Sequence, residues 1–166
     1  ALQAEPFIIP AMGSHGGATA EGQREILRGY GVTEETMDCP IRATMEVVQV
    51  GETEEGMPVF VDRYAYEADG IILCGRVKAH TAFRGPYESG ILKMSVIGLG
   101  KQHGAEHVHQ DGFSDLGRLL PMIARVVFDK TNILGAVAVA ENAFDQTCIV
   151  EGLLKEEIFE KEPDIL

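Results

Sequence analysis

The chain has no tryptophan, three cysteines, few basic residues and no long apolar run, and each shortage narrows what it can be. Cys39, Cys74 and Cys148 lie far apart with no C-x-x-C pair, so no iron–sulfur, zinc-thiolate or disulfide framework is on offer. A sparse, odd set of thiols fits a reducing, cytoplasmic compartment, and each thiol is expected as a small buried hydrophobe. No apolar run reaches the roughly 18 to 20 residues that cross a bilayer. No basic segment followed by an apolar one opens the chain, so neither a membrane nor a secretory route is expected. Basic residues number 14 against 26 acids, and the net charge of −12 argues against a nucleic-acid partner.

What is present is ordinary globular material. A chain of 166 residues, 45 % hydrophobic and 24 % charged, makes one domain with a real core. It starts at Ala1 and runs directly into apolar sequence, which reads as one α/β domain (residues 1–166) excised from a longer chain. Pro6 to Pro10 reads as a short buried strand, followed by the flexible loop Met12 to Gly17 and a helix capped by Thr19 that stops near Gly29 or Gly31. Met45 to Val50 and Val59 to Val61 read as strands, Arg63 to Ala68 as a short helix. Ile71 to Cys74 is a continuous apolar run of the kind found in a sheet covered on both faces. Ile91 to Leu99 fits a buried helix and Leu116 to Asp129 an amphipathic one. Ile133 to Ala140 and Cys148 to Val150 fit strands, and Leu153 to Lys161 an exposed, charged helix. Strands alternating with helices predict a three-layer, mostly parallel, Rossmann-like sheet with ligands at the carboxyl ends of its strands. His15 and His80 then share one rim.

The charge is uneven. From Arg76 to Lys101 the chain carries Arg76, Lys78, Arg84, Lys93 and Lys101 against the single acid Glu88, a positive island suited to a small anion. Within it, Gly75 to Gly90 has no periodicity, which in a compact domain marks a functional segment. Arg84 can either grip a substrate carboxylate or pair with Glu88. Lys101, after Gly98 and Gly100, is a candidate phosphate contact. All five histidines (His15, His80, His103, His107, His109) fall in glycine-rich or irregular stretches, and imidazole suits both proton transfer and metal ligation.

Gly13-Ser14-His15 followed by Thr19, then Ala68-Asp69 with its strand, Lys78-Ala79-His80, Ser89-Gly90-Ile91-Leu92-Lys93 and finally His109 together resemble the N-terminal catalytic domain of the nickel-pincer lactate racemase family. The most specific element is the ordered set His, His, Lys, His, its last two members spaced as Lys93 and His109 are. The resemblance implies racemisation or epimerisation of a 2-hydroxy acid, with a nickel pyridinium-3,5-dithio mononucleotide (the nickel-pincer nucleotide) as cofactor. It implies that His15 and His80 are the two acid/base catalysts, that Lys93 and Gly90 bind the cofactor, and that His109 ligates nickel. The partners it implies are a small anionic substrate and the C-terminal domain of the same chain, with a homo-oligomer open. An upstream segment of the family is also absent from these residues.

Two other readings stand beside it. His103-Gly104-Ala105-Glu106-His107 fits the H-x-x-E-H pattern of a zinc hydrolase, although Gly98, Gly100 and Gly104 favour a loop where that pattern needs a helix. A non-catalytic module that binds an anion or nucleotide through the glycine loops is the other.

Overall fold

The computed structural model describes residues 3–109 and 115–166. Helix α1 (Ala20–Gly29) starts where Thr19 accepts a hydrogen bond from the Gly22 N–H, and a four-residue α2 (Glu34–Met37) follows. Strands β1 (Val47–Glu52) and β2 (Pro58–Asp62) form an antiparallel pair, then α3 (Arg63–Glu67) leads into β3 (Ile71–Arg76). After a long loop come the short α4 (Ile91–Lys93), a π-helical turn (Met94–Gly98), α5 (Lys101–His109) and α6 (Leu116–Lys130). The chain closes with β4 (Ile133–Glu141), β5 (Thr147–Leu154) and α7 (Ile158–Ile165).

Among the described residues the expected three-layer parallel sheet does not form. Described strands make two small sheets: β1-β2, and a mixed β3-β4-β5 in which β3 and β4 are parallel and β4 and β5 antiparallel. The loops decide this. Residues 142–146 are too few for a crossover, and Asn142 organises them into a turn by accepting from the Phe144 and Gln146 N–H groups. Residues 53–57 close the other hairpin, with Thr53 accepting from the Met57 N–H. A connection that short can only join antiparallel strands.

The sheet is also covered on one face only. Ile72, Val150 and Leu154 are 59 %, 67 % and 59 % exposed, and Cys74 and Cys148 are exposed rather than buried as expected of them. The other face is covered by α4 and the π-helical turn on β3 and by α7 on β4, while α6 lies on β1 and β2 and buries Leu116, Leu119, Leu120, Ile123, Ala124, Val127 and Phe128 at helical spacing.

Pro6 to Pro10 is not a sheet strand. It makes a single parallel bridge, Ile8 to Ile41, because its flanking prolines offer no N–H to a ladder. The expected exposed helix from Leu153 also differs: Leu153 and Leu154 still belong to β5, and α7 begins later and buries Ile158 and Glu162. Lys101 to His109 is a helix despite its glycine, since Ala105 and Val108 pack into the interior. No helix among the described residues is long and apolar enough to cross a membrane.

Candidate active site

Three elements meet at the segment that carries Lys93. The first is the loop Met12 to Ala18. Gly13 has φ of +58° and donates its N–H to the Gly98 carbonyl at 3.2 Å, docking the loop on the π-helical turn that follows Lys93. A Cβ at Gly98 would sit 2.5 Å from the Ala11 carbonyl, so glycine lets the two backbones touch. The π-turn arises as the Leu99 N–H reaches back to Met94 at 2.9 Å, a bulge of the kind that recurs at functional sites.

His15 sits exposed on this loop, and its Nδ1 lies 2.6 Å from the Met12 carbonyl. A carbonyl can only accept, so Nδ1 holds the proton and the neutral ring keeps its lone pair on Nε2. The loop is stapled from below by Gln23 of α1, fully buried, which donates to the Gly13 and His15 carbonyls at 2.9 and 3.3 Å.

The second element is the loop after β3. Lys78 and Ser89 form an antiparallel bridge with hydrogen bonds of 2.7 and 3.1 Å, which brings His80, two residues on, beside the start of α4. Glu88, the one acid of the basic island, is buried and accepts from the His80 N–H at 2.6 Å and the Gly85 N–H at 3.3 Å. Those bonds, the first above all, hold its carboxyl below the usual range. His80 stacks on Phe83, ring centroids 4.4 Å apart, and its Nδ1 accepts from the Ala82 N–H at 3.0 Å. The neutral His80 ring therefore carries its proton on Nε2, the opposite tautomer from His15.

Arg84 donates to the His80 carbonyl, to the Phe83 carbonyl at 3.0 Å, and pairs with Glu88 at 3.6 Å. Of the two expected uses for it, the pairing with Glu88 is the one realised here, while 71 % of its side chain stays exposed.

The third element is α4 itself. Gly90 precedes it and Lys93 ends it. Lys93 is half-buried, and burial first, then the Lys78 ammonium, pull its amine below the ordinary lysine value. Three of the island's five bases are neutralised, Arg76 by Glu141, Arg84 by Glu88 and Lys101 by Asp62. Lys78 and Lys93 have no acid partner among the described residues, so the positive potential concentrates on them. An amine shifted toward neutrality is a nucleophile, which fits covalent capture of an acyl or thioacyl group.

Gly90 owes its identity to α7: a Cβ there would lie 2.1 Å from Glu162 Oε1. Glu162 is 1 % exposed, and its Oε2 accepts from the Leu92 N–H at 2.9 Å. Burial pushes its carboxyl up to about 7, partly offset by the Leu92 and Ile91 N–H groups.

Lys101 is fully buried. Its ammonium is committed to Asp62 at 3.0 Å, to Gln23 Oε1 at 3.2 Å and to the Pro10 carbonyl, leaving nothing turned toward a phosphate. It ties the His15 loop, β2 and the start of α5 together, and its own φ of +55° is a strain those contacts hold in place. His109 ends α5, and its side chain lies outside the described residues. His103 and His107 lie one turn apart on α5, centroids 4.8 Å apart, both against Phe60. Glu106 is engaged by Gln102 at 2.8 Å, and no group of three metal-capable side chains forms among the described residues. The helix that the zinc reading needs is present, but its third ligand is not among them.

Residues 3–117 match the family model of the lactate racemase N-terminal domain. The chain belongs to that family. A structure of the lactate racemase apoprotein from Thermoanaerobacterium thermosaccharolyticum shares its fold, with a TM-score of 0.73 at 15 % identity. That likeness covers 97 % of this chain and 40 % of the other, so this chain spans well under half of the solved protein. No curated protein matches the sequence.

Gln23, Asp62 and Glu162 support the candidate site of this lactate racemase N-terminal domain without being singled out by the sequence, which names Glu88 only as the acid Arg84 can pair with. Gln23 left a trace, since it shares a helix face with Ile26 and Leu27. Glu88 left another as the lone acid in a basic stretch.

Proposed function

We propose that the protein containing this domain racemises or epimerises a 2-hydroxy acid, with His15 and His80 as the paired acid and base. The observation that carries this is that both imidazoles sit on loops that meet the Lys93 segment, His15 on the loop bonded to Gly98 and His80 two residues past the Lys78–Ser89 bridge. Inversion needs a group that takes the hydroxyl proton and another that gives one back. His15 Nε2 is set to accept that proton. His80 would give a proton back from its imidazolium form and return to the neutral ring, since a neutral imidazole stripped of its Nε2 proton would be left an anion. With one ring neutral and the other protonated at the start, a turnover exchanges their states, so the reverse reaction would run with the roles swapped.

Lys93 would hold a nickel pyridinium-3,5-dithio mononucleotide through its amine, with Gly90 at the base of that helix and His109 as the nickel ligand. Such a group, when bound, supplies the hydride acceptor that proton transfer alone cannot replace. Lys78 adds positive charge beside an anionic cofactor or substrate, and the open surface of Arg84 suits a substrate carboxylate. The catalytic cleft would be completed by the C-terminal domain of the same chain, in a cytoplasmic protein with a small-molecule partner.

The test uses full-length protein co-produced with enzymes that make the cofactor, followed by a chirality assay over a panel of 2-hydroxy acids. Racemisation should disappear in His15→Ala and in His80→Ala. Retention of more than about half the rate in both variants would sink the two-base reading. Ligand binding without turnover in the wild type would favour a plain anion-binding module.

A further inference from the structure

Glu162 is a buried carboxylate in the last helix, with no cation paired to it among the described residues, and its oxygens lie against the backbone at the start of α4. A helix start is ordinarily capped by a local serine, threonine, aspartate or asparagine. Here the cap position is Gly90, which contributes no side chain, and the space a side chain would fill is taken by the Glu162 carboxyl. The capping oxygen thus comes from a residue 70 positions away. The captured N–H belongs to Leu92, whose carbonyl carbon is bonded to the nitrogen of Lys93. Behind it, α7 is fixed by Ile158, fully buried, and by the Tyr87 hydroxyl, which donates to the Phe159 carbonyl at 2.6 Å.

We propose that Glu162 is a positioning residue for Lys93: its carboxyl, delivered by α7, fixes the first turn of the helix that carries the lysine and so sets where the amine lies. The inference rests on the reading of Lys93 as the cofactor-holding amine, and it adds a residue from beyond the segment matched to the family model. A local cap would hold the helix start to its own loop. A cap from α7 makes the position of the amine depend on the C-terminal end of the domain. Glutamine cannot replace it in full, because one of its two terminal atoms is a donor that would meet a backbone N–H.

The experiment compares wild-type full-length protein with Glu162→Gln, Glu162→Asp and Gly90→Ala. Reductive methylation with formaldehyde and cyanoborohydride is followed by peptide mass spectrometry as the rate at Lys93 relative to exposed Lys130. Intact mass after co-production with the cofactor-making enzymes reports the adduct on Lys93. In variants that keep the wild-type circular dichroism, the Lys93 ratio should move by about threefold or more, the effect of half a pKa unit. Adduct yield should fall with it. Gly90→Ala, which pushes on the same carboxyl from the helix side, should act in the same direction. Glu162→Asp, which withdraws the carboxylate by one methylene, decides the matter if the glutamine variant does not fold.

A folded variant in which the Lys93 ratio and the adduct yield both match the wild type overturns the inference. A ratio shifted in the variants, when the wild-type protein itself neither gains the adduct nor racemises any hydroxy acid, upholds the positioning role and removes the proposed function instead.

Discussion

Replacing Glu162 by glutamine should change how stability depends on pH. The carboxyl is buried, faces the Ile91 and Leu92 N–H groups, and has its proton held to about 7 in the native state. Its charged and titratable surroundings are Tyr87, whose hydroxyl is raised first by burial and then by the Glu162 charge, and Arg125, which lowers that hydroxyl and lies over the Phe159 ring at 4.9 Å. In the unfolded chain the same group titrates near 4.5. Below that value both states hold the proton and the native state has the full benefit. As pH rises toward 7 the unfolded chain releases the proton first, so stability declines, and above 7 it levels off. At about 1.4 kcal/mol per pH unit the whole decline is roughly 3 kcal/mol, of which about 2 falls between about pH 5 and about pH 7.5. Urea unfolding of wild type and Glu162→Gln across that window isolates the contribution, because other titrating groups are common to both. The wild type should lose about 2 kcal/mol more than the variant as pH rises. Parallel pH profiles, differing by less than about 0.5 kcal/mol across the window, would refute the burial argument.

Lys101→Met should destabilise the domain by about 3 to 5 kcal/mol in urea unfolding, since it leaves the Asp62 carboxylate buried without its cation. Gly13→Ala should cost about 1 to 3 kcal/mol, because alanine resists φ of +58° and its Cβ would press the Ile97 carbonyl at 3.1 Å. Nitrogen-15 NMR of the imidazoles above their titration should show the Nδ1–H form for His15 and the Nε2–H form for His80. One tautomer shared by both rings would refute one of the two Nδ1 contacts, to the Met12 carbonyl or from the Ala82 N–H. Glu88→Gln should speed hydrogen exchange at the His80 and Gly85 amides, and unchanged rates would show that another contact anchors the loop.

The sequence by itself determined the helices with a strong apolar period, the strands of the interior, the Thr19 cap and the family. Each of these is written in spacing or in an ordered set of residue types. Leu116 to Phe128 can bury a stripe only as a helix, and Gly13, His15, His80 and Lys93 keep their order in any fold. The sheet arrangement also had a local cue, which the alternation of strands and helices obscured. Residues 142–146 are too short to return a parallel strand, so β5 had to run antiparallel.

Only the tertiary structure decided the fate of individual polar groups. Lys101 looked like a phosphate contact because glycines precede it, yet Asp62 and Gln23, distant in sequence, draw it inside. Gly90 looked like a cofactor contact, and Glu162 from the final helix explains its missing side chain. Burial and pairing are set by which distant residues meet, and hydrophobic period carries no record of that. The tautomers of His15 and His80 depend in turn on loop geometry, since a carbonyl or an N–H within reach chooses which ring nitrogen keeps the proton.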